Sequence, residues 1–260
     1  MPPAQRRSRH IRADRRERAR ARRARRIAAA IILGTAVVVT LLVSAFGSSS
    51  PRPIPVSAQN SRLVPVGPPK PEVIAQRGAV NLYLPVARSR ITAVAYHASG
   101  DGALALDPVG RQANEGIFTR AAHKIFGGGG SGVAYYQLGG GDGPSTAALD
   151  VGGLPGTDVY SPVNGTVVGL SPFVLDGRRY GARIELQPSG ESGPSVVVAL
   201  TQLEPDPALT VGSTVTASKS KVGTILDLSG VEKQALARYT QDAGNHVTLE
   251  VFPAATLTLH

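Results

Sequence analysis

A stretch of twenty uncharged residues, Ile27–Phe46, limits what the rest of the chain can become. A helix rises about 1.5 Å per residue, so a helix of this length would be about 30 Å long and would cross the hydrocarbon core of a bilayer. The stretch follows residues 1–26, which hold twelve arginines and two acidic residues. Positive charge on one side of such a segment keeps that side in the cytoplasm. The sequence therefore predicts a basic cytoplasmic tail (1–26), a single transmembrane anchor (27–46) and an exported C-terminal region.

A cleaved signal peptide is the alternative interpretation of the same segment. Val43-Ser44-Ala45 has the small-x-small pattern of a cleavage site. The apolar stretch is, however, longer than the 7–15 residues that are usual for a signal peptide. Both interpretations place everything after Phe46 outside the cytoplasm.

The charge of the chain excludes one class of partner. The formal net charge is +10, and the tail of residues 1–26 accounts for all of it. The remaining residues are formally neutral and have no excess of positive charge for binding a phosphate backbone, so we expect no nucleic-acid partner. The chain has no cysteine, which excludes disulfides, thiol catalysis and cysteine-ligated zinc.

Residues 47–71 contain seven prolines and little apolar periodicity. Proline-rich segments are extended and semi-rigid. This segment is predicted to be a stalk that holds the following domain, residues 72–260, away from the membrane.

The exported region is predicted to be mainly β. It consists of short apolar, β-branched runs separated by Gly, Pro, Asn and Asp, a pattern typical of strands joined by turns. The predicted strands are Ile91–Tyr96, Val133–Leu138, Gly165–Leu170, Ala182–Leu186, Val196–Leu200, Val222–Leu226 and Val247–Phe252, with Val80–Val86 as a weaker candidate. Two helices are predicted near Gly116–Ile125 and Val231–Gln241, and a tight hairpin turn at Asn164-Gly165.

Several motifs follow one another in a characteristic order. They are Ala148-Leu149-Asp150-Val151-Gly152, then Gly156–Val168, Val196–Leu203, Val211–Val215, Gly223–Ile225 and Gly244–Val251. Together they resemble the M23 (lysostaphin-type) peptidoglycan metallopeptidases over about residues 134–251. The resemblance implies a duplicated barrel-sandwich hybrid fold and a bacterial envelope protein.

The resemblance also indicates which positions matter, and the chain departs from the family at most of them. The zinc ligands of active relatives correspond to Thr146, Asp150 and Thr248, and two assisting histidines correspond to Gln202 and His246. A catalytic zinc needs three protein ligands and an open fourth position. We therefore expect no zinc, no other cofactor and no catalytic residue, and we interpret these five residues as a vestigial groove.

The histidines outside this groove do not replace the lost ligands in the sequence. His97 and His123 stand in no motif that would place them beside Asp150, and they are interpreted as ordinary polar histidines. Asp150 and His246 remain open to three interpretations: a hydrogen-bonded pair, a contribution to ligand binding, or residual metal binding.

The function implied by the resemblance is non-catalytic. We expect a membrane-anchored envelope protein that binds peptidoglycan or regulates a wall hydrolase or division protein. The alternatives are an active zinc endopeptidase with non-standard ligands and a purely structural assembly module. A lipoyl or biotinyl carrier is disfavoured, because the turn after Tyr160 offers no lysine.

Overall fold

The chain is built mainly from β-strands in the residues that the computed structural model describes, which are 66–114, 132–190 and 195–254. The mainly β fold predicted from the sequence is confirmed. Two 3-10 helices, Arg88–Arg90 and Ala235–Arg238, interrupt the strands. The strands are β1 (Val73–Arg77), β2 (Val80–Tyr83), β3 (Ile91–His97), β4 (Asp107–Pro108), β5 (Arg111–Gln112), β6 (Ala134–Gln137), β7 (Ala148–Gly153), β8 (Asp158–Tyr160), β9 (Gly165–Leu175), β10 (Arg178–Pro188), β11 (Val196–Pro205), β12 (Thr214–Val215), β13 (Lys221–Ile225) and β14 (His246–Pro253).

The strands form a small sheet and a large one. The small sheet has the order β2-β1-β4. The large sheet has the order β12-β9-β10-β11-β14-β7-β3-β6-β5, and β13 pairs with both β11 and β8. At its centre, β7 runs antiparallel to β14 on one side and to β3 on the other. Strands distant in sequence thus meet at β7.

Alternation along the central strands separates a core face from a second face. Successive side chains of a strand point to opposite faces of the sheet. In β3, β7 and β14 every second side chain belongs to the main hydrophobic core, which also contains Ile74 and Leu82 of the small sheet. These alternate side chains are Val94, Tyr96, Leu149, Val151, Val247, Leu249 and Val251.

The strand predictions hold, with changes in length. β9 and β10 extend well beyond the predicted runs because they pair with each other from Arg178↔Leu175 to Pro188↔Gly165. The Asn164-Gly165 hairpin is wrong: β8 pairs with β13 and β9 pairs with β10. Gly165 is instead required by packing, since a Cβ there would collide with the carbonyl group of Gln187.

The helix predicted near Val231–Gln241 is also wrong, because only the 3-10 helix Ala235–Arg238 forms there. Gln234 and Leu236 are both buried, while Val231 is exposed. Residues two apart point in different directions on an α-helix, so this burial pattern does not suit one. Good helix-forming residues alone do not compensate, because short helices depend on a packed apolar face.

Some sequence predictions fall on residues outside the described ranges. These are the tail, the anchor, most of the stalk and the helix near Gly116–Ile125. The last stalk residues, 66–71, have no regular secondary structure, and Pro69 is buried. No helix within residues 66–114, 132–190 and 195–254 is long and apolar enough to span a membrane.

Candidate functional site

The second face of β3, β7 and β14 carries a cluster of polar side chains centred on Asp150. Asp150 lies in the middle of β7, paired with Thr248 of β14 and with Ala95 of β3. Because side chains alternate, Asp150 shares its face with His246, two residues before Thr248, and with His97, two residues after Ala95. The pairing of three strands therefore brings these polar groups together.

Small residues around Asp150 leave room for this cluster. Ala148 and Gly152 precede and follow it on the same face of β7, and both Ala148 and Ala95 are fully buried. At Gly152 a Cβ atom would lie 2.6 Å from Cδ2 of Leu236 and 2.7 Å from Oγ1 of Thr92. This face is therefore packed by small side chains and covered by the segment that contains Leu236.

Two small apolar clusters lie apart from the main core, and the first contains Ala93 and Ala95 from this face of β3. Each cluster combines strand residues with larger side chains from other segments. The first consists of Ala93, Ala95, Tyr136 and Leu236, and the second of Ala103, Ala147, Ala199 and Phe252.

Three side chains surround the Asp150 carboxylate. The Thr248 hydroxyl donates a hydrogen bond of 2.8 Å to Oδ1. The Nε2 atom of His97 lies 3.3 Å from both carboxylate oxygens, and the Nε2 atom of His246 lies 3.5 Å from Oδ1. The Asp150 side chain is only 4% exposed, whereas that of His97 is 33% exposed. The cluster therefore reaches solvent at His97.

Both imidazole rings are oriented by the backbone. Nδ1 of His97 lies 2.8 Å from the carbonyl oxygen of Ala98, and Nδ1 of His246 lies 2.8 Å from that of Gly244. A carbonyl oxygen only accepts, so each Nδ1 carries a proton and donates it. Each Nε2 faces the carboxylate, which also only accepts when ionised. A proton on Nε2 is therefore favourable at His97, where this atom lies 3.3 Å from both carboxylate oxygens.

The pKa directions agree with this arrangement. The hydrogen bond to Asp150 raises the pKa of His97 to about 9, although burial by itself would lower it. Burial alone would raise the pKa of Asp150, but the neighbouring His246 and His97 and the hydrogen bond from Thr248 bring it below its ordinary value. A charged His97 beside an ionised Asp150 is thus the stable state near neutral pH.

Gln202 joins the cluster from β11. Its Nε2 atom lies 3.5 Å from the hydroxyl of Thr248, and its buried Oε1 has no hydrogen-bond partner among the described residues. Gln202 has a φ of 64°, in the left-handed region that non-glycine residues rarely adopt. The strand bulges here, since Leu200 and Leu203 pair with Ile184 and Ala182, which are only two residues apart. Such strain is most often kept at functional sites.

Thr146 is not part of the cluster. Thr146 lies just before β7, and its hydroxyl donates a hydrogen bond of 2.7 Å to the carbonyl oxygen of Leu106, the residue before β4. The structure therefore unites four of the five predicted groove residues, namely Asp150, Gln202, His246 and Thr248. Thr146 is instead bonded to the backbone of a neighbouring loop.

The interpretation of His97 as unrelated to Asp150 is wrong. His97 is the last residue of β3, a strand that was predicted only to Tyr96. The missing information was the pairing of β3 with β7, because the sequence alone does not say which strands are neighbours. The available signal was the alternation Ala93, Ala95, His97, which places His97 on the face of the small residues.

The polar face continues beyond Asp150 to Glu250. The hydroxyl of Ser99 donates a hydrogen bond of 2.6 Å to Oε1 of Glu250, and Arg183 lies 3.9 Å from Oε2. The Arg183 guanidinium also stacks over the ring of Phe252, at 4.8 Å from its centroid. Polar side chains thus form a row across this face from Gln202 to Arg183.

Zinc, which the active relatives of the M23 family bind, does not fit these residues. Within residues 66–114, 132–190 and 195–254, no group of three or more His, Cys, Asp or Glu side chains is arranged to hold a metal ion. Of the two threonines at ligand positions, Thr146 donates its proton to a backbone carbonyl and Thr248 donates its proton to Asp150. Neither hydroxyl offers the anionic or imidazole donor that zinc prefers.

Comparison with known proteins gives structural neighbours only. No protein-family model and no curated protein matches the chain. The solved structure of lysostaphin is 16% identical with a TM-score of 0.29, covering 40% of this chain and 35% of lysostaphin. A zinc-containing peptidase from Vibrio cholerae is 15% identical with a TM-score of 0.29, covering 42% of this chain and 27% of that one. The M23 metalloprotease pseudoalterin is 10% identical with a TM-score of 0.32, covering 74% and 73%.

The chain therefore spans about a third or less of the length of the first two of these structures. The similarity concerns M23-type folds and carries no information on activity at these identities. The M23 resemblance of this chain consists of its ordered motifs, with the two outermost, around Asp150 and Thr248, on paired strands.

Proposed function

We propose that the exported region is a non-catalytic domain of the bacterial cell envelope, which binds peptidoglycan or regulates a wall hydrolase. The observation that carries this proposal is the state of Asp150. Its carboxylate is surrounded by Thr248, His97 and His246, at a place where an active relative would hold zinc. The ordered M23-like motifs support a role at the cell wall.

Hydrolysis would need a group that activates water. In a zinc peptidase the metal lowers the pKa of its bound water to about 7. Here two of the three corresponding positions are threonines, and both hydroxyls donate to protein acceptors. The remaining groups can hold and orient a polar ligand, but they offer no comparable activation of water.

The polar row from Gln202 to Arg183 supports a binding role. Gln202 carries an oxygen without a hydrogen-bond partner among the described residues, and it keeps an unfavourable backbone conformation. A buried polar atom without a partner costs about 1–3 kcal/mol. A ligand that displaces the side chains covering Oε1 and donates to it would recover this free energy. The amides and hydroxyls of wall peptides and glycans are donors of this kind.

Co-sedimentation of the purified full chain with purified cell-wall sacculi tests this function. Gln202→Ala is expected to lower binding several-fold, whereas Gln76→Ala is the matched control. Gln76 lies on β1 and contacts the exposed Asn81. Equal binding by both variants would show that the row is not the binding site. A wall hydrolase recovered from envelope extract, with no binding to sacculi, would favour the regulatory role.

An active zinc endopeptidase with non-standard ligands is the second candidate, because His97 lies within 3.3 Å of Asp150. A peptidoglycan zymogram with added zinc separates the two candidates. We expect no clearing from the unmodified chain. Clearing that disappears in an Asp150→Asn variant would establish the enzyme and refute the non-catalytic function.

We also propose that Ile27–Phe46 anchors the protein in the cytoplasmic membrane. The proposal is supported by the arginine-rich flank before this segment. A reporter fused after His260 is expected to be active only if it works outside the cytoplasm. Cytoplasmic activity of the fusion would reverse the orientation, and a soluble product beginning near Phe46 would indicate a cleaved signal peptide.

A further inference from the structure

Asp150 is a buried carboxylate that needs a compensating charge. An ionised carboxylate loses several kcal/mol of solvation when it is removed from water, so buried carboxylates are paired or coordinate metals. Among the described residues, the groups nearest to Asp150 are the hydroxyl of Thr248 and the rings of His97 and His246. A hydroxyl is neutral, so the compensating charge must come from an imidazole.

His97 is the imidazole best placed for this role. Its Nε2 is equally distant, 3.3 Å, from both oxygens of the carboxylate, a central position in front of the group. The Nε2 of His246 lies 3.5 Å from one oxygen only. The Ala98 carbonyl holds the other nitrogen of His97, so the ring cannot turn away without losing that bond.

We propose that His97 replaces the metal ion at Asp150, so that the ring and a metal compete for the same carboxylate. The Nε2–H group satisfies both oxygens and links the end of β3 to the middle of β7. The site is then stable without metal, and His97 is a positioning residue that keeps the face of Asp150 closed to cations.

This inference deepens the proposed non-catalytic function and rests on it for the absence of a metal. The two can nevertheless fail separately. Binding to sacculi tests the function of the domain, whereas metal affinity and thermal stability test the role of His97. A domain that binds sacculi through a metal at Asp150 would refute only the present inference.

The first test measures the unmodified full chain without any substitution. Its melting temperature is expected to stay constant, within about 1 °C, in excess EDTA and in excess zinc. Metal binding to a complete site would stabilise the folded state by mass action. A rise in melting temperature with zinc that is lost in His97→Ala would show that His97 is a metal ligand, and it would overturn the proposal.

The second test restores the missing ligands and then removes the competitor. The double variant Thr146→His/Thr248→His places imidazoles at the two motif positions where active relatives have histidine ligands, of which position 248 pairs directly with Asp150. Its zinc affinity is measured by calorimetry on the full chain. Adding His97→Ala to it is expected to tighten zinc binding about tenfold. A ligand behaves in the opposite way, so weaker binding after His97→Ala would overturn the proposal.

His97→Gln on the same double variant is the matched control. Glutamine keeps an N–H donor that can reach Asp150, but it is a poor zinc ligand. If His97 competes through its hydrogen bond, the glutamine variant binds zinc more weakly than the alanine variant does. Equal affinities in the two variants would show that the donor of His97 does not matter and would contradict the competition.

The melting temperatures of these variants test the positioning role of His97 independently of the zinc titrations. His97→Ala alone is expected to lower the melting temperature of the full chain by about 5 °C, and His97→Gln by less. An unchanged melting temperature in His97→Ala would mean that the contact with Asp150 carries no stability, which would refute the positioning role even if the zinc titrations failed.

Discussion

The two faces of β3, β7 and β14 meet opposite requirements. On the core face, Leu149 and Leu249 pair across β7 and β14 and are completely buried among other apolar side chains. On the other face, the next residues along the same strands are Asp150 and Thr248, which pair across the same strands and hydrogen-bond to each other.

This contrast shows that the packing of the fold does not depend on the chemistry of the site. The free energy of the core face depends on apolar area and tight packing, which the identity of the polar residues does not alter. The polar face needs only a hydrogen-bond partner for each of its buried polar groups. Threonine at position 248 does so by donating to Asp150. The strand pairing therefore places no demand on the chemistry of the second face.

The largest expected effect comes from the core face. Leu149→Ala removes a fully buried side chain and leaves a cavity, so it should lower the free energy of unfolding by about 3 kcal/mol. Leu170→Ala is the matched control on the exposed part of β9, and it should change stability by less than about 0.5 kcal/mol. Urea unfolding of the full chain measures both. Similar losses in the two variants would contradict the assignment of the core face.

The same contrast shows why the core face was predictable. Runs such as Val196–Leu200 and Val247–Phe252 carry the apolar, β-branched residues that a buried strand needs, and both are strands. Strand lengths were less predictable. The outer half of β9 is largely exposed and is stabilised by its pairing with β10, which no apolar pattern within β9 indicates. The segment around Leu236 was predicted as a helix from local preference, and tertiary packing overrides that preference.

A second prediction concerns the space on the polar face. Gly152→Ala would place a Cβ atom 2.6 Å from Leu236 Cδ2 and 2.7 Å from Thr92 Oγ1, so the covering segment must shift. We expect a loss of about 2 kcal/mol, as for other overpacked sites. Gly100→Ala is the control, since nothing lies within 4 Å of its added Cβ. A neutral Gly152→Ala would mean that Leu236 does not cover this face.

The candidate site was predictable only in part. The ordered motifs predicted the contact between the strands of Asp150 and Thr248, which are direct partners. They did not predict His97, because it lies some 50 residues before the first motif and reaches Asp150 through a strand pairing that no local pattern specifies. Thr146 shows the converse. Its position in the motif suggested the groove, but its hydroxyl prefers a backbone acceptor at Leu106.

A third prediction uses the pH dependence of His97. Its pKa rises from an ordinary value of 6.5 to about 9 in the folded chain, mainly through Asp150. A raised pKa means that the folded state holds the proton more tightly. The contribution of the His97–Asp150 pair to the free energy of unfolding is therefore complete below about pH 6.5 and is lost as the pH rises through about 9. Because His97 is partly exposed, solvent screening reduces it to about 1–1.5 kcal/mol.

Urea unfolding at several pH values between 6 and 10 measures this contribution. Other groups titrate in the same range, so the unmodified chain is compared with His97→Gln, which cannot titrate. The charged groups that face His97 are Asp150 and Glu250, and both remain in the variant. The difference in stability between the two chains should shrink with rising pH. A constant difference would show that folding does not raise the pKa of His97.

The smallest expected effect distinguishes Thr146 from Thr248, the two threonines at positions where the M23 motif has zinc ligands. Thr146→Val keeps the shape of the side chain and removes one hydrogen bond to the carbonyl oxygen of Leu106, which is a neutral acceptor. A loss of about 0.5–1 kcal/mol is expected, the usual contribution of a neutral hydrogen bond. Thr248→Val removes a donor from the buried Asp150 carboxylate, and hydrogen bonds to charged groups contribute about 1.5–3 kcal/mol. Thr146→Val should therefore cost less than half as much in urea unfolding. A larger loss for Thr146→Val would mean that position 146, rather than 248, stabilises the polar face. The pair of Asp150 and Thr248 would then not be the main polar contact of that face.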